Sequence, residues 1–372
     1  MNHFITDYNI DCPAGAESAA LEDSIMQKGR PVTAGSKILG NFISPLDATV
    51  VSRLEAAGVY ILGKTKMDEF GISGLFADEL PVTSGAVSAV AESIAAFALC
   101  NDYTGTVGQQ AAAHGLYYIH PTYGTISRFG LIPAVPSIDQ IGIVCKTPAE
   151  GFRILAIIAG HDPKDGAMYA NSEFGIRNSE LTEKLTIGVP ENIFAAAQGS
   201  DSSKSFIGLG VGGNFDTVSI ELKYFEVYAQ VMRILCCAEI SANISRYDGI
   251  KFGYRAEGFL NLQELYKKSR TEGFGQYAKL VAIIGAMVLS QENYMRYYDK
   301  AMRIRRLIMD SLEFDKYDAI VLPAFGTAAD FKLAQGALPR LCGLPSVTMP
   351  IGGGIMFVAD KLREDVLEEI II

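Results

Sequence analysis

The stretch Gly63–Phe70, which reads GKTKMDEF, decides the fold of this chain. It directly follows Val59–Leu62, a short apolar run that predicts a buried β-strand. Upstream, Ser44–Asp47 predicts the start of a helix, because it combines a capping serine, a proline at the first helical position and an acid in the first turn. We expect that helix to end at Gly58. A helix, a short buried strand and a polar motif in this order are typical of an α/β protein.

The same alternation of helix and strand signals continues along the chain. Thr147–Glu150 is a capping box, in which a threonine hydroxyl and a glutamate side chain satisfy free backbone groups at the start of a helix. Strands interleaved with helices favour a mainly parallel or mixed sheet with helices on both faces. The other predicted strands are Phe97–Leu99, Leu185–Val189 and Ala319–Leu322, and the other predicted helices are Ser84–Ala96 and Ser290–Leu312.

Two features near the C-terminus predict how the surface is arranged. In the helix predicted for Ser290–Leu312, the apolar spacing places Arg303, Arg305 and Arg306 on the solvent side. The apolar end of the chain, Leu367–Ile372, predicts either a docked edge strand or a subunit contact.

Composition limits the kinds of protein this chain can be. With 372 residues, 49% of them hydrophobic, it can bury a large core, and we expect one domain over residues 1–372. A net charge of −10 repels phosphate, so no direct nucleic-acid binding is expected. The six cysteines show no C-x-x-C spacing and predict reduced thiols in a cytoplasmic protein. No apolar run is long enough for a membrane span, so no membrane association is expected.

No cofactor or metal site is predicted. The four histidines show no H-x-x-x-H spacing and there is no cysteine cluster. Gly208–Gly213 fits G-x-G-x-x-G, but a dinucleotide site needs a strand before these glycines and a helix after them. The residues that follow alternate in polarity like a strand, which indicates a turn before a strand.

Several stretches together resemble the amidase-signature family, and within it the glutamine-hydrolysing A subunits of glutamyl-tRNA amidotransferases. Gly63–Phe70 resembles the family's G-K-T-N-M-D-E-F, and His120–Leu131 is similar to its K-P-T-Y-G-x-V-S-R-Y-G-L. The resemblance spans roughly Leu21 to Pro350. The further matching blocks are Asp139–Gly142, Ala159–Asp165, Arg246–Gly249, Tyr254–Glu257, Arg270–Gly275 and Gly343–Pro345.

The resemblance implies one α/β/α domain around a large, mixed, twisted sheet. Compared with the family, the sequence looks trimmed in three places. It lacks much of the N-terminal helical segment, a loop between Phe76 and Pro81, and part of the C-terminal region.

The family's catalytic triad consists of a serine nucleophile, a second serine in a cis peptide that relays the proton, and a buried neutral lysine as base. Carried onto this sequence, the resemblance assigns other residues to all three roles. The lysine belongs in an I-K-D-N-I-like stretch, and here Leu21–Ile25 reads LEDSI, which places Glu22 there. The relay serine becomes Val82, and the nucleophile, 24 residues later as in the family, becomes Thr106.

The resemblance also assigns the surroundings of the triad. The family turn D-T-G-G-S-I-R reads DYTGTVG here, so Asp102 and Tyr103 open the former oxyanion pocket. Of the paired glycines whose N–H groups face the oxyanion, one is now Thr104 and the other is Gly105. Where the family's amidotransferase members carry an arginine that is expected to hold the substrate carboxylate, this chain has Val281.

These replacements predict negligible amidase activity. Thr106 keeps a hydroxyl, although its extra methyl group crowds the approach, and Val82 has no proton to relay. Unless it is strongly buried, Glu22 has a pKa near 4, far too low to deprotonate an alcohol. Removing a member of a catalytic unit costs on the order of 10⁴–10⁶ in rate.

Three functions remain open from the sequence. The first is a catalytically inactive amidase homologue that acts in binding or assembly, with a protein partner or as a homo-oligomer. The second is an amide hydrolase with an altered mechanism, in which Thr106 attacks and Lys28, Lys64 or Lys66 is the base. In the third, the old pocket binds another small ligand, and the acids Glu22, Asp23 and Asp102 favour an amine.

One structural consequence follows for the relay position. A cis peptide before a residue other than proline costs about 3–4 kcal/mol and persists only where its surroundings enforce it. Since Val82 has no catalytic use for such strain, we expect a trans peptide between Val82 and Thr83.

Overall fold

A computed structural model gives the architecture. It describes residues 3–8, 10, 12–13, 15–76, 83–169, 184–196, 215–324, 329–351 and 354–372. Within these ranges, eleven strands form one sheet: β1 Phe4–Asp7, β2 Ser18–Glu22, β3 Tyr60–Thr65, β4 Phe97–Asn101, β5 Tyr117–His120, β6 Ile141–Cys145, β7 Leu185–Pro190, β8 Phe215–Ile220, β9 Ala319–Pro323, β10 Ser346–Met349 and β11 Ile355–Ala359. Their order across the sheet is β1-β3-β2-β4-β6-β5-β10-β11-β9-β7-β8.

The sheet is mixed, as the sequence predicted. Parallel pairing joins β3, β2 and β4 near one edge, and β9, β7 and β8 at the other edge. The strands between these two groups pair antiparallel, as does the edge strand β1 with β3. The strand that the polarity pattern indicated after Gly213 is β8, which lies parallel to β7.

Helices cover both faces of this sheet, which confirms the predicted α/β class. The α-helices among the described residues are α1 Thr49–Ala56, α2 Gly85–Ala91, α3 Thr106–Ala113, α4 Pro148–Ile158, α5 Glu191–Ala196, α6 Tyr228–Ile244, α7 Leu262–Gly273, α8 Gln276–Leu289, α9 Lys300–Asp310, α10 Ala329–Cys342 and α11 Glu364–Ile371. Val321 of β9 packs in a core with α1, α4 and α11, whereas its neighbour Leu322 packs on the other face with α6, α8, α9 and α10. Toward β2 and β4, that second face is covered by α2 and α3.

The capping box predicted at Thr147 is present. The Glu150 N–H donates to the Thr147 hydroxyl at 3.3 Å, and α4 begins at Pro148. The Glu150 carboxylate accepts from the Lys146 N–H at 3.4 Å, one residue before the cap. The box therefore fixes the start of α4, whose buried face packs on the sheet.

Other helix boundaries differ from the prediction. The helix expected from Ser44 begins only at Thr49, because the Ser44 hydroxyl donates to the Leu46 carbonyl oxygen and closes a local turn instead. The helix α2 ends at Ala91, well short of Ala96.

One prediction about the C-terminal surface was wrong, and one of the two alternatives for the chain end, the edge strand, is excluded. Arg305 does not lie in solvent: its guanidinium donates to the Leu341 carbonyl at 2.6 Å and to the Ser137 hydroxyl at 3.1 Å. The end of the chain forms the helix α11 rather than an edge strand, and Val366 and Leu367 are buried against α4 and the sheet. Apolar residues that recur every three to four positions are typical of a helix. The apolar residues at the end of the chain are too few to show this period.

Among the described residues, no helix combines the length and the apolarity that a bilayer crossing requires.

Candidate functional site

A cavity of about 290 Å³ lies next to the predicted site residues. It lies beyond the carboxyl ends of the parallel strands β3, β2 and β4, where ligands of α/β sheets commonly bind. Its walls come from these strand ends, the loop after β3 and the N-termini of α2 and α3. The polar side chains in its lining are those of Glu22, Lys66, Asp68, Ser73, Thr83, Ser84, Asn101, Asp102, Tyr103, Thr104, Thr106 and Gln110.

Glu22, the last residue of β2, forms part of the cavity floor and is only 3% exposed. Its Oε1 accepts hydrogen bonds from the Ser24 hydroxyl at 2.5 Å and from the Asn101 N–H at 3.2 Å. Burial, assisted by the negative charges of Asp68 and Asp102, raises the pKa of Glu22 to about 8, although the two hydrogen bonds act to lower it. A pKa near 4 was predicted unless the residue is buried, and that condition applies here. Glu22 is therefore mainly protonated at neutral pH.

Thr106, the first residue of α3, places its hydroxyl in the same cavity. Among the described residues, this hydroxyl is hydrogen-bonded only to the Thr104 hydroxyl, at 2.9 Å. A Cβ added at Gly74 would lie 2.7 Å from the Thr106 methyl carbon, so this methyl group packs tightly against the Gly74 backbone. The nucleophile position thus keeps its oxygen, with another alcohol rather than a base as its partner.

Asp102 serves as a structural anchor for the turn before α3. Its carboxylate accepts from the N–H groups of Gly105 at 2.8 Å and Gly108 at 3.0 Å. It also forms an ion pair with Arg340 at 2.9 Å, and the Arg340 Nε donates to the Asp102 carbonyl at 2.8 Å. Gly108 occupies the place of the arginine in the family turn D-T-G-G-S-I-R, and Arg340 of α10 supplies a guanidinium from elsewhere in the chain.

Gly105 is essential to this turn for two reasons. Its φ of +88° is a left-handed conformation that strains other residues. In addition, an added Cβ would lie 2.7 Å from the Gly336 Cα in α10. The one glycine kept from the family pair therefore lets α10 approach the turn closely enough for Arg340 to reach Asp102.

The three lysines considered as replacement bases do not meet Thr106. Lys64 lies beside Leu21 in the parallel register and so points to the face covered by α1 and α4, away from Glu22. Burial lowers the pKa of Lys64, partly offset by the negative charge of Asp23. Lys66 lines the cavity from an exposed side chain, and Lys28 is exposed and outside the lining. Within the described residues, no lysine nitrogen is hydrogen-bonded to the Thr106 hydroxyl.

Two other predicted site positions differ in where they lie. Tyr103 is buried in the cavity wall, and its hydroxyl donates to the Phe70 carbonyl at 2.8 Å. Val281 of α8 is fully buried in the core and is not part of the cavity lining. The structure does not bring this position, expected to contact substrate, to the site. Val82 and its peptide bond with Thr83 lie outside the described residues.

Three residues that shape the site were missed from the sequence. Asp68 lines the cavity, accepts the Ser73 N–H at 2.8 Å, and has its pKa raised by burial. Ser84 places in the lining a buried hydroxyl oxygen that has no hydrogen-bond partner among the described residues. No sequence pattern pointed to Arg340, which follows Pro339 inside α10. Asp68 was detectable, because it belongs to the quoted stretch Gly63–Phe70.

Several residues in the blocks that resemble the family stabilise the fold around the site. Arg128 makes a two-pronged contact with Asp165, at 3.0 and 2.9 Å, which joins the blocks His120–Leu131 and Ala159–Asp165. Asp139 binds the Asn101 amide at 2.9 Å and so positions the end of β4 beside the cavity. The contacts of these residues stabilise the fold, so the match of these blocks to the family gives no information about catalytic activity.

The arrangement retains part of what acyl transfer needs. The N–H groups of Thr106 and Val107, at the N-terminus of α3, have no partner within the described residues and could donate to a carbonyl oxygen. Among the described residues, no basic side chain is hydrogen-bonded to the Thr106 hydroxyl.

Comparisons with known proteins agree with this architecture. A family profile described as Amidase matches residues 19–75 and 83–337. The A subunit of the glutamyl-tRNA(Gln) amidotransferase of Acinetobacter baumannii (strain AYE) is 35% identical over 90% of this chain and 75% of its own length.

Solved structures share the fold. The A subunit of the glutamyl-tRNA(Gln) amidotransferase from Thermotoga maritima aligns with a TM-score of 0.75 and 24% identity, over 99% of this chain and 86% of that one. The peptide amidase from Stenotrophomonas maltophilia aligns with a TM-score of 0.73 and 22% identity, over 95% and 81% of the two chains. By its sequence profile, its curated relatives and its fold, the chain belongs to the amidase family.

Proposed function

We propose that this chain is a catalytically inactive amidase homologue that acts in binding or assembly. The observation on which the proposal rests is the hydrogen bond between the hydroxyls of Thr106 and Thr104, since no basic side chain among the described residues is hydrogen-bonded to Thr106. An alcohol is a weak nucleophile unless an aligned base removes its proton. Lys64, the most deeply buried lysine considered, lies on the other face of the sheet.

The protonation of Glu22 supports the same proposal. With a pKa of about 8, this carboxyl group keeps its proton at pH 7. A protonated acid cannot accept the proton of Thr106, so the position of the family's base is unfit for that role at neutral pH.

The experiment is an ammonia-release assay of the purified full chain with glutamine, asparagine and acetamide between pH 6 and pH 10. We expect no release at pH 7 above that of the Thr106→Ala variant, which serves as the matched background. Turnover at pH 7 that disappears in Thr106→Ala would contradict the proposal.

A second candidate function is favoured by the same pKa. Above pH 8 Glu22 is ionised and becomes a base of useful strength, so Thr106 could attack an amide in alkaline solution. In that case turnover in the assay rises through pH 8 and is lost in both Thr106→Ala and Glu22→Gln. Activity that is flat with pH, or unaffected by Glu22→Gln, excludes this candidate.

The assembly part of the proposal rests on the outer face of α8. Leu280, Ile283 and Met287 follow one another at helical spacing and are 37%, 69% and 45% exposed. Contiguous apolar side chains on a surface mark an interaction site. The three side chains are uncharged, so this face does not repel a second copy even though the chain carries −10 overall. We place a second copy of the chain on this face.

A further inference from the structure

We infer that the cavity binds a small organic cation, an amine with a short apolar chain, whose ammonium group is held by Glu22 and Asp68. This inference rests on the proposed function in one respect, namely that the cavity binds without cleaving. It names the ligand class, which the loss of hydrolysis leaves open.

Only two of the acids near the site are available to a ligand. Asp102 already meets Arg340 and the N–H groups of Gly105 and Gly108. Asp23, which the sequence placed near the site, accepts from the Thr33 N–H at 3.0 Å and does not line the cavity. Glu22 and Asp68 both line it, and neither forms an ion pair within the described part of the chain.

The second oxygen of Glu22 points to a ligand that donates hydrogen bonds. Both contacts of this carboxyl group, from Ser24 and Asn101, use Oε1. Oε2 accepts no hydrogen bond from any described residue, although the residue is only 3% exposed in the cavity floor. When Glu22 is ionised, Oε2 is therefore the oxygen of this carboxylate that can accept a hydrogen bond from a donor in the cavity, such as an ammonium group.

The charged and titratable groups around Glu22 leave a negative cavity to be neutralised. Asp68 and Asp102 face it from neighbouring loops, and the thiol of Cys100 lies behind it on β4. Arg340 is engaged by Asp102, Lys64 lies on the opposite face, and Lys66 is an exposed side chain at the rim. An entering ammonium ion favours the ionised carboxylates and so displaces the proton of Glu22.

The remaining lining specifies an organic cation rather than a metal ion. Ile5, Met67 and Val107 give the cavity apolar walls that would pack against a carbon chain. Among the described residues, no cluster of three metal-binding side chains exists. The volume of about 290 Å³ is near the lower end of the range for ligand pockets, roughly 300–1,000 Å³. It suits a short alkyl or aryl amine.

The test uses n-butylamine and its uncharged analogue 1-butanol, titrated calorimetrically into the full chain at pH 7 and pH 9. Glu22, with a pKa of about 8, is about one-tenth ionised at pH 7 and nine-tenths at pH 9. The amine stays mainly protonated at both values. We therefore expect butylamine to bind about tenfold more tightly at pH 9, with proton release at pH 7, and butanol to bind weakly without a pH dependence.

Glu22→Gln is the decisive variant, because its Oε1 can still accept from Ser24 and Asn101 while the charge is gone. We expect it to weaken butylamine binding at pH 9 at least tenfold and to abolish the pH dependence. Asp216→Asn, which changes an exposed acid far from the cavity, is the control and should bind as the unmodified chain does. Circular dichroism verifies that both variants are folded.

Three results overturn the inference: no saturable binding of butylamine at pH 9, equal binding of butylamine and butanol, or a Glu22→Gln variant that binds like the unmodified chain. Neither probe contains an amide, so these results are independent of the ammonia-release assay. Amide turnover would refute the proposed function alone, and absent amine binding would refute this inference alone.

Discussion

Glu22 shows how the surroundings of one residue change its chemistry. The resemblance to the family placed it at the position of the catalytic base, and its residue type implied a carboxyl group that is ionised at neutral pH. In the folded chain, burial and the neighbouring acids Asp68 and Asp102 raise its pKa to about 8. The residue therefore behaves as a neutral hydrogen-bonding group at pH 7 and as a carboxylate only above pH 8.

The raised pKa of Glu22 predicts a pH-dependent stability. Unfolded, the residue ionises near pH 4.5, and folded near pH 8, so the folded chain binds the extra proton between these values. The contribution of Glu22 to the free energy of unfolding must therefore fall as pH rises from about 4.5 to 8. Glu22→Gln lacks this titration. We expect the variant to match the unmodified chain in unfolding free energy near pH 4.5 and to exceed it at pH 8.5 by on the order of 2–4 kcal/mol.

Urea unfolding at both pH values measures this difference. Glu55→Gln, at an exposed glutamate, is the control and should show no pH-dependent gain. Equal stability of Glu22→Gln and the unmodified chain at pH 8.5 would mean that Glu22 is ionised without penalty in the folded state.

At the level of single elements, local signals identified strands better than helix ends. The predicted strands Phe97–Leu99, Leu185–Val189 and Ala319–Leu322 all occur, each extended by one or two residues. The segment Ser290–Leu312 instead contains a π-helical turn, Met295–Asp299, before α9. Buried apolar runs are a strong strand signal, whereas helix ends depend on competing turns that a periodicity does not reveal.

The exposed apolar face of α8 is the proposed contact between two copies of the chain. Replacing Ile283 and Met287 with glutamate puts charge on its exposed apolar face without touching the buried face that contains Val281. We expect the unmodified chain to form a dimer and the double variant to be a monomer, with unchanged circular dichroism, because like charges would oppose each other across the contact. Light scattering over a range of concentrations measures the mass.

A matched control replaces Met302 and Leu307, exposed apolar residues on α9, with glutamate. Loss of the dimer in this control as well would assign the effect to charge in general rather than to the face of α8. A monomeric unmodified chain would exclude self-association and leave a different protein as the partner.

For the whole molecule, the ion pair between Arg340 and Asp102 joins residues 238 positions apart in the chain. Both side chains are at most 1% exposed. Breaking a buried pair leaves an uncompensated charge and typically costs about 3–5 kcal/mol. We expect Arg340→Met to lower the unfolding free energy by that amount.

The control is Arg306→Met, which removes an exposed pair with Asp310 at a similar distance of 2.8 Å. Exposed pairs contribute about 0–1 kcal/mol, so little change is expected. Adding Asp102→Asn to Arg340→Met should restore part of the loss, because it removes the uncompensated charge. If Arg340→Met lowers the unfolding free energy in urea by no more than Arg306→Met does, the ion pair does not hold α10 to the site.

The sequence by itself determined the family, the α/β class with a mixed sheet, and the residues at Glu22 and Thr106, because motifs and apolar runs are local properties of the chain. Only the tertiary structure decided how these residues behave. It buried Glu22 beside Asp68, turned Lys64 to the opposite face of the sheet, brought Arg340 to Asp102 and kept Val281 away from the cavity. Burial and charge pairing depend on segments far apart in sequence, and a pKa or an ion pair exists only after those segments have met.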